Sequence, residues 1–592
     1  MTKLFRKDDA MKSTMTRTLV LFVLSLTGLS GFCSAAENEL VGYWKLRGDC
    51  RDYSGKGNHG VNHGVDLTNG TFDGEQSYLE APSSESLKLG ADDFTFCAHI
   101  NTAEHLDDIV GDVIDMYDPD QRRGVTLAIK PTSGGYQSQG TDRHVHFGID
   151  QNHITDWQDC GRPNPTSSYV SNSLTVFDGK LYAATTDAAD EAGWCHVYRY
   201  EGGSDWTDCG RVGAGKTTGV LPLIVHNGSL YAATSTYDWT RVKEGDYEPG
   251  RVYRYLGDQE WEDVGQPSDN RTLNSLASYK GKLYAGGGPS TWGVFVLDDD
   301  GQWKPSKIFE KQGPKRCFPH AMSLHNGKLY VGYPGVYEFD GETWTFIGDP
   351  VNFSERHSQL QTHEMELYQG KLLAGVFPEA IVAAYAGGDA WEPMGRVGVD
   401  GTEVLSLVVY NGQLYGSSLP RAEVCRYEGN SKWTSLKRFH SPEGWEPGIP
   451  PNVTRDQVNE MARVTSMAIH NGRLFASTGS CTSAAQDSPL DVRGKVFSLE
   501  AGKSASYDKD LGPGWKHLAA VRRGERLQIY IDGKLAAEST AFEPGDYDIS
   551  TDRPLRIGFG QTEYFAGKMA DVRLYAKALS DAEIEELAST KP

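Results

Sequence analysis

The feature that most constrains this chain is a stretch that keeps returning in altered form. Ser323 to Gly348 reads SLHNGKLYVGYPGVYEFDGETWTFIG, in which an alternating apolar run meets an Asn-Gly turn, two further runs follow, and a polar turn leads into a run carrying Trp344. Period-two alternation broken by such turns encodes a four-stranded antiparallel sheet. The first turn recurs at Gly179, Gly228, Gly281, Gly327, Gly370, Gly412 and Gly472, at spacings of 42 to 60 residues. Units of this length are too long for leucine-rich or helical repeats, and seven of them predict a seven-bladed β-propeller.

The fourth-strand tryptophans are also seven, but they sit one place nearer the N-terminus than the turns. Trp206, Trp261, Trp303, Trp344, Trp391 and Trp433 each follow a turn, whereas Trp157 precedes all of them, in DWQDCGR, nearly the same text as DWTDCGR at 205–211. The last repeat has three strands and no tryptophan strand after them. Trp157 therefore completes the seventh blade and closes the ring, which removes the exposed sheet edges of an open one. The propeller spans 155–502, with its closing strand at one end of the segment.

The flanks are all-β as well. From residue 37 to 150 come LVGYWKL, RDYSGKGNHG, FDGEQSYLEAP, DFTFCAHI and HVHFGID; from Gly514 come GWKHLAAVRR, RLQIYIDGK, PLRIGFG and FAGKMADVRLYAKALS before a short acidic helix. Neither half has enough strands to cover two sheet faces. Together, Trp44 in YWKL, Asp52 with GKGNHG, Phe72-Asp73-Gly74 with Tyr78-Leu79, Trp515 with His517, Tyr530-Ile531-Asp532-Gly533 and the C-terminal motif resemble, in order, the laminin-G-like jelly roll of the concanavalin A-like lectin and glucanase type. The resemblance implies one two-sheet sandwich, its halves at 37–150 and 510–592, split by the propeller. It implies no activity, because the fold hosts lectins, adhesion modules and structural appendages. Trp44 and Trp515 read as sandwich core. Members of this family often bind calcium, so Asp52, Asn58 and Asp571 are candidate ligands, although hard cations want six to eight oxygens.

The two halves join the propeller near Thr155 and Gly502, neighbours in an antiparallel pair, so the sandwich belongs on the face with the third-to-fourth-strand turns. On the opposite face, blades three to six turn quickly past Pro289, Pro334, Pro378 and Pro420, whereas blades one, two and seven carry TDAADEAGW, STYDWTRVKEGDYEPG and STGSCTSAAQDSPLDVRG, and a long connection runs from Phe439 to Arg463. Long loops on a rigid scaffold are where binding concentrates.

Residues 1–36 read as a cleaved export signal: Lys12 and Arg17 precede the apolar run from Leu19 to Leu26, and Ser34-Ala35-Ala36 offers a small-residue cleavage site. That places the protein in the periplasm, on the cell surface or outside the cell. No later run is long and apolar enough for a membrane helix. A net charge of -22 disfavours nucleic acid as a partner. In an oxidising compartment the cysteines are expected to pair, as Cys50 with Cys97, Cys160 with Cys481 and Cys195 with Cys209, leaving Cys317 and Cys425 free.

Polar residues leading into the inner strands ring the channel mouth: Asn172, Asn274, His320, His363, Glu364, Glu403 and Arg463. Carboxylates beside imidazoles there are suited to acid–base work or to holding a polar ligand; water-solvated channel lining is the plainer reading. His226, His325 and His470 sit before the turn glycines and read as solvated. The repeat resembles kelch-like propellers loosely, since only blade three, YAGGG, shows the glycine doublet. No Asp-box has the sialidase spacing. Two functions follow: an exported, non-catalytic protein binding glycans or surface and matrix proteins through the jelly roll and the propeller loops, or a carbohydrate-active hydrolase or lyase with its site at the channel mouth.

Overall fold

The structure is a computed structural model that describes residues 39–131, 133–134, 138–140, 142–167, 169–186, 191–236, 248–310, 319–350, 361–439, 462–480 and 493–592. Residues 1–36, read above as an export signal, Cys317, Cys481 and most of the long loops of blades one, two and seven lie outside them.

Strands from the two ends of the chain interleave. One sheet runs in the order Leu40–Trp44, Ala566–Tyr575, Phe94–Thr102, Gly514–Arg523, Arg526–Ile531 and Lys534–Glu538; the second runs Val61–His63, Tyr78–Ala81, Leu555–Ile557, Gly111–Asp118, Arg123–Lys130, His144–Ile154 and Ala501–Tyr507. Alternation along each strand sends Trp44, Phe94, Phe96, Phe147 and Leu574 into one core between the sheets. The helix Asp581–Ser589 is started by a capping box between Ser580 and Glu583, and its Ile584 packs on the outside of the first sheet. The Asp532-Gly533 turn takes the positive φ angles that a two-residue hairpin requires. Trp515 departs from expectation: it is 39% exposed, at the start of its strand, and does not enter the core.

The propeller's inner strands are Tyr169–Phe177, Gly219–His226, Thr272–Tyr279, Ala321–His325, Gln361–Tyr368, Glu403–Tyr410 and Ala462–His470, each followed outward by its blade's later strands. Closure occurs where the displaced tryptophan puts it. Gln158–Asp159 pairs antiparallel with Val496–Leu499, so the ring is completed by a strand that precedes the first blade. The fourth-strand tryptophans tie neighbouring blades. The indole N–H of Trp206 donates to Cys160 O, that of Trp261 to Cys209 O, that of Trp391 to Ile347 O and that of Trp433 to Met394 O, at 2.8 to 3.0 Å. Each such bond contributes about 1 kcal/mol beyond the ring's burial.

The sandwich docks on the face bearing the first hairpin turns. Gly179 N donates to Asp508 O, Gly327 N to Asp108 Oδ2, Gly370 N to Thr562 O and Gly472 N to Ser506 Oγ. This overturns the solvated reading of the turn histidines. His325 Nδ1 meets Glu563 Oε2 at 2.5 Å, His470 Nδ1 meets Asp508 Oδ2 at 2.7 Å, and His226 Nδ1 meets Ser278 Oγ at 2.8 Å, all buried. An imidazole next to a turn glycine is well placed to be covered once a second domain sits on that turn. The outward face of the second sheet, with Asp112, Tyr117 and Lys130, is buried there.

One loop goes further. The connection between Arg123–Lys130 and His144–Ile154 enters the propeller channel. Its Ser133–Gly134 pairs antiparallel with the inner strand of blade seven (Met467↔Gly134), and its Ser138–Gln139 pairs parallel with that of blade three (Leu276↔Ser138). Inner strands present an unpaired edge to the channel, and this loop occupies two of them.

The cysteines correct the disulfide expectation. Cys50, Cys97, Cys160, Cys195, Cys209 and Cys425 are free thiols. Cys50 packs against the inter-sheet core and donates to Gly60 O, whereas Cys97 points to the opposite side of its sheet, beneath the helix. Cys195 O accepts from Val212 N, which places Cys195 three residues out of register with Cys209. Its thiol turns instead to Thr217. The expected partner of Cys160, Cys481, lies outside the described residues.

Candidate functional site

The sequence picks out the N-terminal ends of the inner strands, and the backbone there is irregular. Pairing with the second strand slips between Val170 and Leu174, Val220 and Leu223, Leu273 and Ser275, Thr362 and Glu364, Val404 and Leu407, and Val464 and Ser466. Six of seven blades thus carry a β-bulge at the same level. A bulge inserts an unpaired residue and re-aims its side chain. Asn274 and His363 are such residues, and Asn172 lies within the blade-one bulge, with its side chain outside the described set.

Four of the expected residues come together. His363 Nδ1 lies 2.8 Å from Glu403 Oε1, linking blades five and six, and Arg463 Nη1 from blade seven lies 4.0 Å from the same oxygen. The ring of His320, from the edge of blade four, stacks on His363 with centroids 4.6 Å apart and planes 17° apart. The Nε2 of His363 meets Gln361 Oε1, and the Arg463 guanidinium lies 6.0 Å from the centre of the Tyr169 ring, across the closure in blade one. Gln361 and Tyr169 escaped the sequence reading. Gln361 stands two residues before His363 on the same strand, a usable signal; Tyr169 becomes visible only once blade seven is known to touch blade one.

The electrostatics follow from burial. Desolvation pushes the Glu403 carboxyl up, but His363 and Arg463 outweigh it and hold it below its ordinary value. Burial drives His320 well below the usual imidazole range, with His363 adding to the effect, so His320 is neutral. Glu364 is driven well above the carboxylate range by burial, with Glu366 adding, so it carries its proton. Its Cβ borders Gly375 on the second strand of the blade, against which Val404 of the next blade also packs. The arrangement is a buried, internally paired set of donors and acceptors drawn from five blades, anchored by one ionised carboxylate.

The calcium candidates do not assemble. Asp52 accepts from Tyr43 N, Ser54 N, Ser54 Oγ and Asn58 N. The Asn58 side chain bonds Val41 O, Ser84 and Ser86, and Asp571 Oδ1 accepts from Tyr43 Oη at 2.6 Å. These oxygens are spent on turn and strand geometry, and among the described residues no group of three or more His, Cys, Asp or Glu side chains is placed to hold a metal ion. The set does not fit a calcium shell.

Sequence and structure define an all-β class: a concanavalin A-like sandwich carrying an inserted seven-bladed propeller. The family model of the concanavalin A-like lectin/glucanases superfamily matches residues 497–585. No curated protein matches the chain. Among solved structures, a streptogramin B lyase is 9% identical, covering 59% of this chain and 97% of its own, with a TM-score of 0.40. A PQQ-bound aldose sugar dehydrogenase from Streptomyces coelicolor is 10% identical over 60% of this chain and 99% of its own, at 0.33. Trypanosoma rangeli sialidase is 12% identical over 73% of this chain and 94% of its own, at 0.26.

Proposed function

We propose that this is an exported, non-catalytic binding protein with a kelch-like propeller, recognising glycans or the glycan-bearing proteins of a surface or matrix on the propeller face away from the sandwich. The observation that carries this reading is the convergence of His320, His363, Glu403 and Arg463 at the end of the channel opposite the docked sandwich. Buried charged groups gathered from separate blades cost stability, and such gatherings mark functional sites. Both ring nitrogens of His363 are engaged, which suits a fixed recognition surface. The test is a glycan-array screen of the mature protein, followed by titration calorimetry with Arg463→Ala and Glu403→Gln. Loss of binding in both supports the reading; binding unchanged in both removes it.

A hydrolase or lyase at the same place is the second reading. It is favoured by Glu364 and Glu403, carboxyls on adjacent blades whose surroundings push them in opposite directions. Product release from a neutral polysaccharide, abolished by Glu403→Gln and by Glu364→Gln, would establish it.

A further inference from the structure

The propeller covers much of the outward face of the sandwich's second sheet, but not its margin. Across the first three strands the outward residues form two rows: His63 opposite Tyr78, and Val61, Glu80 and Arg556 side by side. Val61 is 50% exposed, which places this margin outside the docking seam. His63 and Tyr78 stack with centroids 4.3 Å apart, and Phe559 and Tyr564 stack at 4.0 Å. Tyr78 and Phe559 lie 5.4 Å apart, so the two stacks form one aromatic wall. The Arg556 guanidinium lies 5.8 Å from the Tyr78 ring centre and 5.6 Å from that of Phe559, while its Nε donates to Glu80 at 2.9 Å.

Much of this wall is half-buried rather than sealed: His63, Tyr78, Arg556, Phe559 and Tyr564 all keep intermediate exposure. The blade-five turn at Gly370 backs the Phe559–Tyr564 stack, leaving His63 and Tyr78 as its outer end. His63 Nε2 is buried and has no hydrogen-bond partner. A polar atom left so is costly unless something else satisfies it.

We propose that this margin is a glycan-binding subsite for a neutral pyranose chain, separate from the channel mouth. It rests on the glycan-binding reading above. Aromatic walls take up the apolar C–H faces of sugar rings, and the half-buried Arg556–Glu80 pair offers donors and acceptors to hydroxyls. The charge selects neutral sugars. Arg556 is matched by Glu80 and the chain's net charge is -22, so uronic, sialic and sulfated chains are disfavoured.

The experiment is titration of the full mature protein with neutral oligosaccharides (cello-, xylo- and manno-oligosaccharides) and with acidic ones (oligogalacturonate, heparin fragments), repeated for Tyr78→Ala, His63→Ala and Arg463→Ala. Circular dichroism and thermal melts confirm folding. The milder Glu80→Gln, which keeps an acceptor for Arg556, serves as a second probe that does not remove a ring. The expected result is binding of a neutral series, weakened about five- to tenfold by Tyr78→Ala, the worth of one lost ring contact, and measurably by Glu80→Gln and His63→Ala. Binding that is lost in Arg463→Ala but unchanged in the margin variants overturns this subsite and leaves the channel reading standing. The reverse pattern keeps the subsite and removes the channel reading. Binding of acidic chains only, or of none, overturns the subsite.

Discussion

Replacing Asp112 with asparagine at the sandwich–propeller seam should stabilise the protein in a pH-dependent way. Asp112 is 1% exposed, and its Oδ2 accepts from Thr562 N at 2.7 Å and Glu563 N at 3.0 Å, contacts an amide oxygen can keep. Burial raises its carboxyl from 3.8 to about 7, against the pull of those N–H groups and of Lys130. A carboxyl raised on folding contributes its full share below its unfolded value and loses it as pH rises through the folded value. At 1.36 kcal/mol per unit, the ionisable side chain costs nothing below pH ~4, about 2 kcal/mol at pH 5 and about 4 kcal/mol from pH 7 upward. An amide in its place carries none of that cost. Urea unfolding followed by tryptophan fluorescence, at pH 4 and pH 8, should show equal midpoints at the lower pH and a higher midpoint for Asp112→Asn at the higher. A gain of the same size at both values, or a loss at pH 8, would refute the reasoning.

Other outcomes follow from the same contacts. His325→Ala leaves Glu563, fully buried, without its partner, and should cost about 3–5 kcal/mol in urea unfolding at neutral pH. Trp391→Phe keeps an aromatic ring but removes the N–H that reaches Ile347 O, and should cost about 1 kcal/mol. Thiol titration of the denatured, unreduced protein should find Cys50, Cys97, Cys195 and Cys209 reactive; peptide mapping that returns Cys50 linked to Cys97, or Cys195 to Cys209, would contradict the structure. Chelation should leave the melting temperature unchanged, since Asp52, Asn58 and Asp571 are occupied by protein donors and acceptors.

Where one strand signal dominates, the sequence was legible. The seven turns gave the blades, and the displaced Trp157 gave the closing strand at Gln158–Asp159, because a strand's partner is determined by what is left unpaired. His320, His363, Glu403 and Arg463 were legible as a group because the start of an inner strand occupies the same place in every blade. Burial at the seam was not: His325 and His470 look like surface turn residues until a distant segment supplies Glu563 and Asp508. The pairing of Ser133–Gly134 and Ser138–Gln139 with inner strands was hidden for a related reason. It is purely backbone, and glycine and serine carry no periodic pattern. The Cys50–Cys97 and Cys195–Cys209 pairings do not form because an oxidising compartment only permits pairing, whereas side-chain direction decides it.

The central proposal, that the propeller face away from the sandwich is the binding surface, is tested most directly by hydrogen–deuterium exchange of the protein with and without a glycan identified on the array. The account predicts slowed exchange at the inner-strand starts, 361–364, 403–404 and 462–464. Protection confined to the outer strands of the blades, or to the outer sheet of the sandwich, would contradict it.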